Sequence, residues 1–393
     1  MSIIMKKNIK ILMVVPALGD VYGGPSKSVL ELTQAIGNLG IDIDLVTTNA
    51  NGQVKLDVPL YNWIDKRNYR IQYFPYWNMW DYKFTLSLTK WLFKNVQNYS
   101  IVHTNAIFSY PILPAYWACQ LHHIPYIVTP RGMLEPWALA YKAWKKNLYF
   151  SLLEKPALEK ASCIHMLAST EAERIQPIGL KIAVEVVPNG IHREQFDVKH
   201  DPDVFYNQFP ETRGKKLIIF LGRIDPKKGL DLLTIAFQSV YQGFHNAHLV
   251  IAGPDNVGYA SVIKQDLAKY NCLHAVTFTG ILTGELKYAA LAAASIYVAP
   301  SYSEGFSMSV LEGMAAGLPC VITTGCNFPE AAEVAKIVNI NAEEIAEALI
   351  GFLRHPEQAK DMGDRARHFI LENYTWGQIA AKMVAIYNQI LST

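Results

Sequence analysis

Residues 295–323 read in turn as strand, loop, helix and strand, an order that few folds accommodate. Ser295-Ile296-Tyr297-Val298-Ala299 is an apolar run of strand length. Residues 308–316 suit a helix, stopped by Gly317-Leu318-Pro319, and Cys320-Val321-Ile322-Thr323 reads as the next strand. This is a parallel βαβ unit, and its first loop lies at the carboxyl end of a strand, where open parallel sheets bind ligands. That loop carries Ser303-Glu304-Gly305-Phe306-Ser307, and Glu312 follows on the helix. If the residues between them were all helical, the two acids would stand about 12 Å apart along the axis. Retaining glycosidases hold their carboxyls about 5 Å apart and inverting ones up to about 9.5 Å. The spacing better suits two groups gripping different parts of one elongated ligand, with the N–H groups of the helix start between them for a phosphate. A plainer reading is also open. Ser309-x-x-Glu312 matches a capping box, in which Glu312 only closes the helix start, and Glu304 is then an ordinary loop acid.

A second loop of the same kind lies upstream. Leu217-Ile218-Ile219-Phe220-Leu221 is a continuous apolar strand, followed by Gly222-Arg223-Ile224-Asp225-Pro226-Lys227-Lys228-Gly229 and a helix starting near Asp231. Arg223 offers a planar fork of donors and Lys228 a point charge, which together suit the two phosphates of a diphosphate. A solvated basic turn is the alternative. Both loops end strands of one expected sheet.

Gly222-Arg223 with Lys228-Gly229, followed about eighty residues on by Glu304-x7-Glu312, resembles the retaining, GT-B-fold glycosyltransferases of family 4, bacterial polysaccharide type. Val187-Pro188-Asn189-Gly190-Ile191, Val250-Ile251-Ala252-Gly253-Pro254 and Phe278-Thr279-Gly280 add to the likeness, which covers nearly the whole chain. The resemblance implies an α/β chain of two Rossmann-like domains facing each other across a cleft. Residues 1–195 with a C-terminal helix at 372–393 would form the acceptor side, and residues 196–371 the donor side. It implies that Arg223 and Lys228 hold the diphosphate, that Glu312 holds the ribose and that Glu304 sits near the sugar. The N–H groups of Gly305, Phe306 and Ser307 would meet sugar or phosphate, and backbone near Ile281 and Leu282 the base. Gly23, Gly24 and Gly253 complete the donor-binding set.

The chemistry implied is front-face transfer with retention, the leaving phosphate taking the acceptor proton, with Glu304 positioning rather than attacking. No cofactor is called for beyond the nucleotide-diphosphate sugar itself, UDP-glucose first and GDP-mannose second by family frequency. The acceptor would be a saccharide or lipid-linked glycan in polysaccharide or lipopolysaccharide assembly. A sugar-nucleotide 2-epimerase of the same broad fold would need acid/base residues flanking the sugar, and a phosphorylase-like enzyme a cofactor lysine. A non-catalytic nucleotide-sugar-binding protein would be expected to lack Glu304, Arg223 or Lys228, and all three are present.

Length and composition agree with two domains. A chain of 393 residues, 51% of them hydrophobic, can fill two cores, with the boundary expected between Asn189 and Pro210. No run of 18 apolar residues and no charged-then-apolar leader is seen, and the five cysteines lack Cys-x-x-Cys spacing. They read as reduced thiols of a cytoplasmic protein, with no zinc site. Asp42-Ile43-Asp44 has the spacing of a metal-binding pair but falls inside an early strand, where both acids are expected on a half-exposed polar face.

Residues 51–150 carry 11 basic against 4 acidic side chains and 23 of the chain's 45 aromatics. Tyr76-Trp77-Asn78-Met79-Trp80 and Trp91-Leu92-Phe93-Lys94 are typical. Trp137, Tyr141, Trp144, Leu148 and Leu152 make a helical stripe with Lys142, Lys145 and Lys146 beside it. Such a stripe either packs on a core or lies on an anionic membrane surface, so peripheral membrane contact is one expectation. Nucleic acid is a poorer reading, since no recognised binding module accompanies the patch.

The N-terminal half opens with its own βαβ pattern: strand 9–16, Gly23-Gly24 before a helix at 28–39, then strand 41–47. G-x-G-x-x-G is absent and Thr47-Thr48-Asn49 stands where a ribose-binding acid would end the second strand, so a dinucleotide site is excluded. Gly-Gly there allows an anion close to backbone N–H groups, with a tight turn holding no ligand as the alternative. Many relatives place a sugar-contacting histidine after an apolar strand of this domain; here Tyr126-Ile127-Val128-Thr129-Pro130-Arg131 puts Arg131 in that place. Arg131 cannot shuttle a proton as a neutral histidine does, but it can bind donor phosphate or an acidic acceptor. His103, ending strand Ile101-Val102, is a second candidate for sugar contact, with a purely structural role as the alternative.

Overall fold

The computed structural model describes residues 9–79, 82–134 and 148–392. The chain divides into two compact bodies, one formed by Met1–Gly190 with Trp376–Thr393 and the other by Ile191–Thr375. In the first, the sheet runs Val184–Val186, Cys163–Met166, Tyr126–Thr129, Ile101–Asn105, Lys10–Ala17, Asp42–Thr48, Arg70–Phe74, Trp63–Asp65. Its pairings are parallel except the last, where Trp63–Asp65 returns antiparallel on Arg70–Phe74. Central strands of a parallel sheet are covered on both faces, so they need apolar side chains throughout rather than alternation. Ile11, Leu12, Met13 and Val14 meet that demand and are fully buried.

The helix after the first strand spans Gly24–Asn38, starting four residues before the expected 28. Gly23 ends the preceding turn at φ 66° and Pro25 lies in the first helical turn, where its missing N–H costs nothing. The helix Trp376–Ile390 belongs to this body and packs on Gly24–Asn38. Trp376 Nε1 donates to Glu31 Oε2 there at 3.1 Å.

Asp44 corrects one expectation. It is fully buried rather than on a half-exposed face. Its carboxylate accepts from Arg70 Nε at 2.9 Å, Arg70 Nη2 at 2.7 Å and Tyr99 OH at 2.8 Å. Asp42, two residues away, is exposed at the strand start.

In the second body the order is Val276–Gly280, Ala247–Ala252, Lys216–Leu221, Ile296–Ala299, Cys320–Thr323, Lys336–Val338, all parallel. Helices Leu230–Gly243, Gly284–Ala293 and Met308–Ala315 follow three of these strands. All five cysteines are buried and free. Among the aromatics of 51–150, Tyr76 is buried, while Trp91 packs edge-on against Trp63, both ring centroids 5.9 Å apart. The stripe at Trp137, Tyr141 and Trp144, with its lysines, lies outside the described residues, and so does Trp80. Leu148 and Leu152 at its end are exposed. No helix among the described residues is long and apolar enough to cross a membrane.

Candidate functional site

Strand order in the second sheet reverses between Lys216–Leu221 and Ile296–Ala299: the chain goes from the former outward to 247–252, then returns to the far side as 296–299. A crevice at the carboxyl ends of such a pair is where open α/β sheets hold ligands. The loops at 222–229 and 300–307 both end there, and backbone contacts lock them together. Tyr302 N donates to Lys227 O at 2.9 Å, and Glu304 N ties the second loop to the turn after Cys320–Thr323 through Gly325 O at 2.8 Å. Gly229, at φ 67°, passes so close to Pro300 that a Cβ would meet its carbonyl oxygen at 2.0 Å. Gly253 lies against the same loop from the neighbouring strand, where a Cβ would meet Gly222 O at 1.8 Å. A glycine there lets the two loops pack closely.

Lys228 sits at the end of the short turn Pro226–Lys228 and forms an ion pair with Glu304. Ser301 Oγ donates to the same carboxylate oxygen at 2.8 Å, and Asn327 Nδ2 holds the Glu304 carbonyl. Burial acts to raise the Glu304 pKa. The Lys228 charge, hydrogen bonds from Lys228 and Ser301 and the more distant Lys227 outweigh it and hold the carboxyl below the usual carboxylate range. Arg223 is exposed and makes no side-chain hydrogen bond or ion pair among the described residues. Of the two cations expected to meet a diphosphate, Lys228 is thus engaged by a carboxylate and Arg223 is open to a ligand.

Glu312 forms a second pair, with Lys287 Nζ at 2.8 Å from its Oε1. Helix Met308–Ala315 has Ser307 as its N-cap residue, two positions before the expected Ser309. Glu312 therefore stands beyond the reach of a capping box, and the plainer reading of that acid is not realised. Lys287, in the first turns of Gly284–Ala293, was not anticipated. Its partner is 25 residues away in sequence, so no local spacing announces it. The available signal was a solitary lysine in a helix otherwise rich in Ala and Leu. Lys287 Nζ also lies 4.6 Å from the Tyr288 ring centroid. Phe306 stacks in a cluster with Phe328 and Tyr374, fixing the Gly305-Phe306-Ser307 turn. In the loop after Val276–Gly280, Leu282 is buried and Ile281 is 64% exposed.

The first body has its own reversal, between Lys10–Ala17 and Ile101–Asn105. Gly23 and Gly24, Asn105 and Arg131 all lie at the carboxyl ends of strands there. A Cβ on either glycine would meet nothing within 4 Å. Arg131 takes φ 56°, unusual for a residue with a Cβ. Its Nε and Nη2 donate to Asn105 Oδ1 at 3.1 and 2.7 Å, and its Nη1 to Ser28 Oγ at 3.1 Å and Asn189 Oδ1 at 3.2 Å.

His103 is corrected: it is fully buried and contacts no open space. Its Nδ1 lies 2.7 Å from Tyr387 OH and its Nε2 2.6 Å from Thr129 Oγ1. Thr129 Oγ1 lies 2.8 Å from His165 Nδ1, and His165 Nε2 2.7 Å from Val187 O. A carbonyl only accepts, so His165 carries its proton on Nε2, Thr129 donates to His165 and accepts from His103 Nε2, and Tyr387 donates to His103 Nδ1. Burial, with the neighbouring His165 and Arg131, pushes the His103 pKa well below the ordinary value, and burial with Arg131 pushes His165 down to about 3. The chain of bonds ties the last helix to three strands with neutral rings, and a sugar has no access to it.

Comparison with known proteins follows these sites. Residues 22–195 match the family described as Glycosyltransferase Family 4, and residues 204–369 match Glycosyl transferases group 1. The GDP-mannose-dependent alpha-(1-6)-phosphatidylinositol monomannoside mannosyltransferase of Mycobacterium tuberculosis is 26% identical over 228 residues, 54% of this chain and 58% of that one. The chain spans about half the length of the curated relatives it matches. Among solved structures, sucrose-phosphate synthase from Thermosynechococcus elongatus superposes with TM-score 0.77 at 21% identity, covering 98% of this chain and 99% of that one. Anabaena HepE in complex with UDP-glucose gives TM-score 0.77 at 14% identity, covering 97% and 100%. The fold is that of these two-domain α/β chains.

Proposed function

Because the chain belongs to the family 4 glycosyltransferases of GT-B fold, we propose that it moves a hexose from a nucleotide-diphosphate sugar to a saccharide or lipid-linked acceptor, retaining the anomeric configuration. The observation that carries this reading is the arrangement at the second sheet's reversal. An unengaged Arg223 and a Glu304-paired Lys228 stand on one loop, Glu304 stands on its neighbour, and Glu312, paired with Lys287, stands on the helix that follows. On this reading Arg223 and Lys228 stabilise charge developing on the leaving diphosphate, a preorganised electrostatic contribution. The bond from the anomeric carbon to the diphosphate oxygen breaks as the bond to the acceptor oxygen forms on the same face. The acceptor proton passes to the leaving phosphate. Glu304 holds Lys228 and the sugar in place, and Glu312 receives ribose hydroxyls.

UDP-glucose and GDP-mannose are the donors proposed; the printed name of the mycobacterial relative supports the second and the ligand of HepE the first. No metal or other cofactor enters the reading. The setting proposed is polysaccharide or lipopolysaccharide assembly on the cytoplasmic side of a membrane, with peripheral contact through the basic, aromatic first body. Exposed Leu148 and Leu152 support that contact.

The test is donor hydrolysis and binding across UDP- and GDP-sugars, with and without a chelator. Wild type is expected to release one nucleoside diphosphate slowly, unaffected by chelation, and Glu304→Ala or Arg223→Ala to lose at least about a hundredfold. No binding and no turnover with any sugar nucleotide would overturn the reading. Failure to float with anionic vesicles at low salt would remove the membrane contact alone.

A further inference from the structure

Two half-buried arginines of this protein lie against a carboxylate: Arg70 meets Asp44 at 2.7 Å, and Arg367 lies 3.8 Å from Asp197. Arg131 does not. Its four hydrogen bonds all end on neutral oxygens, from Asn105, Ser28 and Asn189, each of which is itself buried. Burial lowers its pKa to about 10, and the charge of Glu171 only partly offsets that. Glu171 makes no ion pair with it, for its two oxygens accept the backbone N–H groups of Gly132 at 2.9 Å and Leu167 at 3.0 Å. At neutral pH the guanidinium stays charged, with no counter-ion in contact among the described residues.

Five guanidinium hydrogens are available, and the four bonds leave one N–H on Nη2. Three chain segments hold the fork rigid, its backbone is in the left-handed region, and the residue keeps part of its surface open to solvent. An arginine serving only to tie segments together gains by taking a carboxylate partner, since an uncompensated charge is costly to bury. An arginine held by neutral acceptor oxygens keeps its charge available. The place is the carboxyl edge of a parallel sheet at its reversal of order, beside the uncapped start of the helix Gly24–Asn38.

From this geometry we infer that Arg131 receives an anionic group, phosphate or carboxylate, carried by the acceptor. The inference rests on the glycosyltransferase reading, in which the second body supplies the donor's charge partners. The acceptor class it names is an acidic sugar or a phosphorylated glycan, and a neutral saccharide leaves the site empty.

The decisive variant is Asn189→Asp. It sets a carboxylate at the position now 3.2 Å from Nη1, cancelling the charge while preserving the fork. Glucose 6-phosphate, glucuronate and neutral glucose are titrated into the full chain with UDP or GDP saturating, and the thermal midpoint is followed. Wild type is expected to shift with the two anionic sugars and not with glucose. Asn189→Asp should start from an equal or higher midpoint and bind the anionic sugars at least tenfold more weakly. Arg131→Gln, if it folds, should match it. Equal response to glucose, or an unchanged response in Asn189→Asp, overturns the inference. So does a wild-type response to glucose 6-phosphate that disappears once the nucleoside diphosphate is present, because the anion then belongs to the donor. Should neither UDP nor GDP shift wild type, the donor reading itself fails, which the sugar arms report separately.

Discussion

Two buried carboxyls, Glu304 in the second body and Glu154 in the first, answer the same physical problem in opposite ways. Both lose water. Glu304 has Lys228 against it and Ser301 donating to it, and it is held ionised. Among the described residues Glu154 has only the backbone N–H of Phe108, at 2.8 Å, while its Oε2 is buried with no hydrogen-bond partner. Burial pushes the Glu154 pKa up to about 7, and that single N–H only partly offsets the rise. The lesson extends to the cations: Lys228 and Lys287 are each matched to an acid, and Arg131 is matched to neutral oxygens. At the second sheet's reversal, among the described residues, Lys228 and Lys287 are thus balanced by acids while Arg223 is not, and at the first sheet's reversal Arg131 stands against neutral oxygens, unlike Arg70, which meets Asp44.

The sharpest way to break this contrast is to unbalance the balanced pair. Lys228→Met leaves Glu304 without its cation, and breaking a buried pair this way costs about 3–5 kcal/mol. The lower end is expected, since the two side chains keep 16% and 12% of their exposure. Glu304→Gln with Lys228→Met should recover part of the loss, because the orphaned acid is gone. Urea unfolding of the two single variants and the double one measures this. Strict additivity would mean that the two groups do not act as a pair.

How far that contrast could be read beforehand differs between the bodies. In the second, apolar strands of continuous character and a glycine-stopped helix mark the βαβ units, and Arg223, Lys228, Glu304 and Glu312 each follow a strand end. Local pattern was enough. Lys287 was not legible, because its meeting with Glu312 is made by packing of two helices across 25 residues. In the first body the residues that matter are scattered: Ser28, Asn105, Arg131 and Asn189 converge only once the sheet has ordered its strands. His103 was misjudged for the same reason. Its place at a strand end suggested access, whereas Tyr387, 284 residues on, covers it. Asp44 looked like one half of an exposed pair because strand alternation says nothing about an arginine arriving from the neighbouring strand.

A pH series sharpens the contrast from the unmatched side. Glu154 titrates near 7 in the folded protein against an ordinary value of 4.5. The folded chain therefore holds a proton that the unfolded chain gives up, and this contribution to stability falls as pH rises from about 4.5 to 7. By about 1.4 kcal/mol per pKa unit, the loss amounts to at most about 3.5 kcal/mol above pH 7. Glu154→Gln keeps an oxygen for Phe108 N–H and cannot ionise. It is expected to match wild type at pH 4 and exceed it at pH 8 by an amount approaching that limit. Glu304 has the reverse sign: its folded value is depressed, so its contribution is present above the unfolded value and lost as pH falls through the folded one. Glu304→Gln should therefore flatten the acid limb and Glu154→Gln the neutral limb. An identical gain for Glu154→Gln at both pH values would show that it acts through packing and not through charge.

The smallest effect belongs to the buried histidine chain, which carries no charge and so should be nearly silent to pH. Tyr387 donates to His103 Nδ1, and Tyr387→Phe removes that donor while leaving the ring in place. The expected cost is about 1 kcal/mol, the scale of one neutral hydrogen bond, since the whole chain from Tyr387 to Val187 O can shift to share the loss. A more telling readout is the protonation of the rings. Nitrogen-15 spectra should show His103 and His165 both protonated at Nε2 and neither titrating between pH 5 and 8, because burial disfavours an imidazolium at either position. In Tyr387→Phe that order survives, for it is set at the other end by a carbonyl that can only accept. If His103 instead titrated in that range in wild type, the ring would have to reach water, and it would return as a candidate for sugar contact.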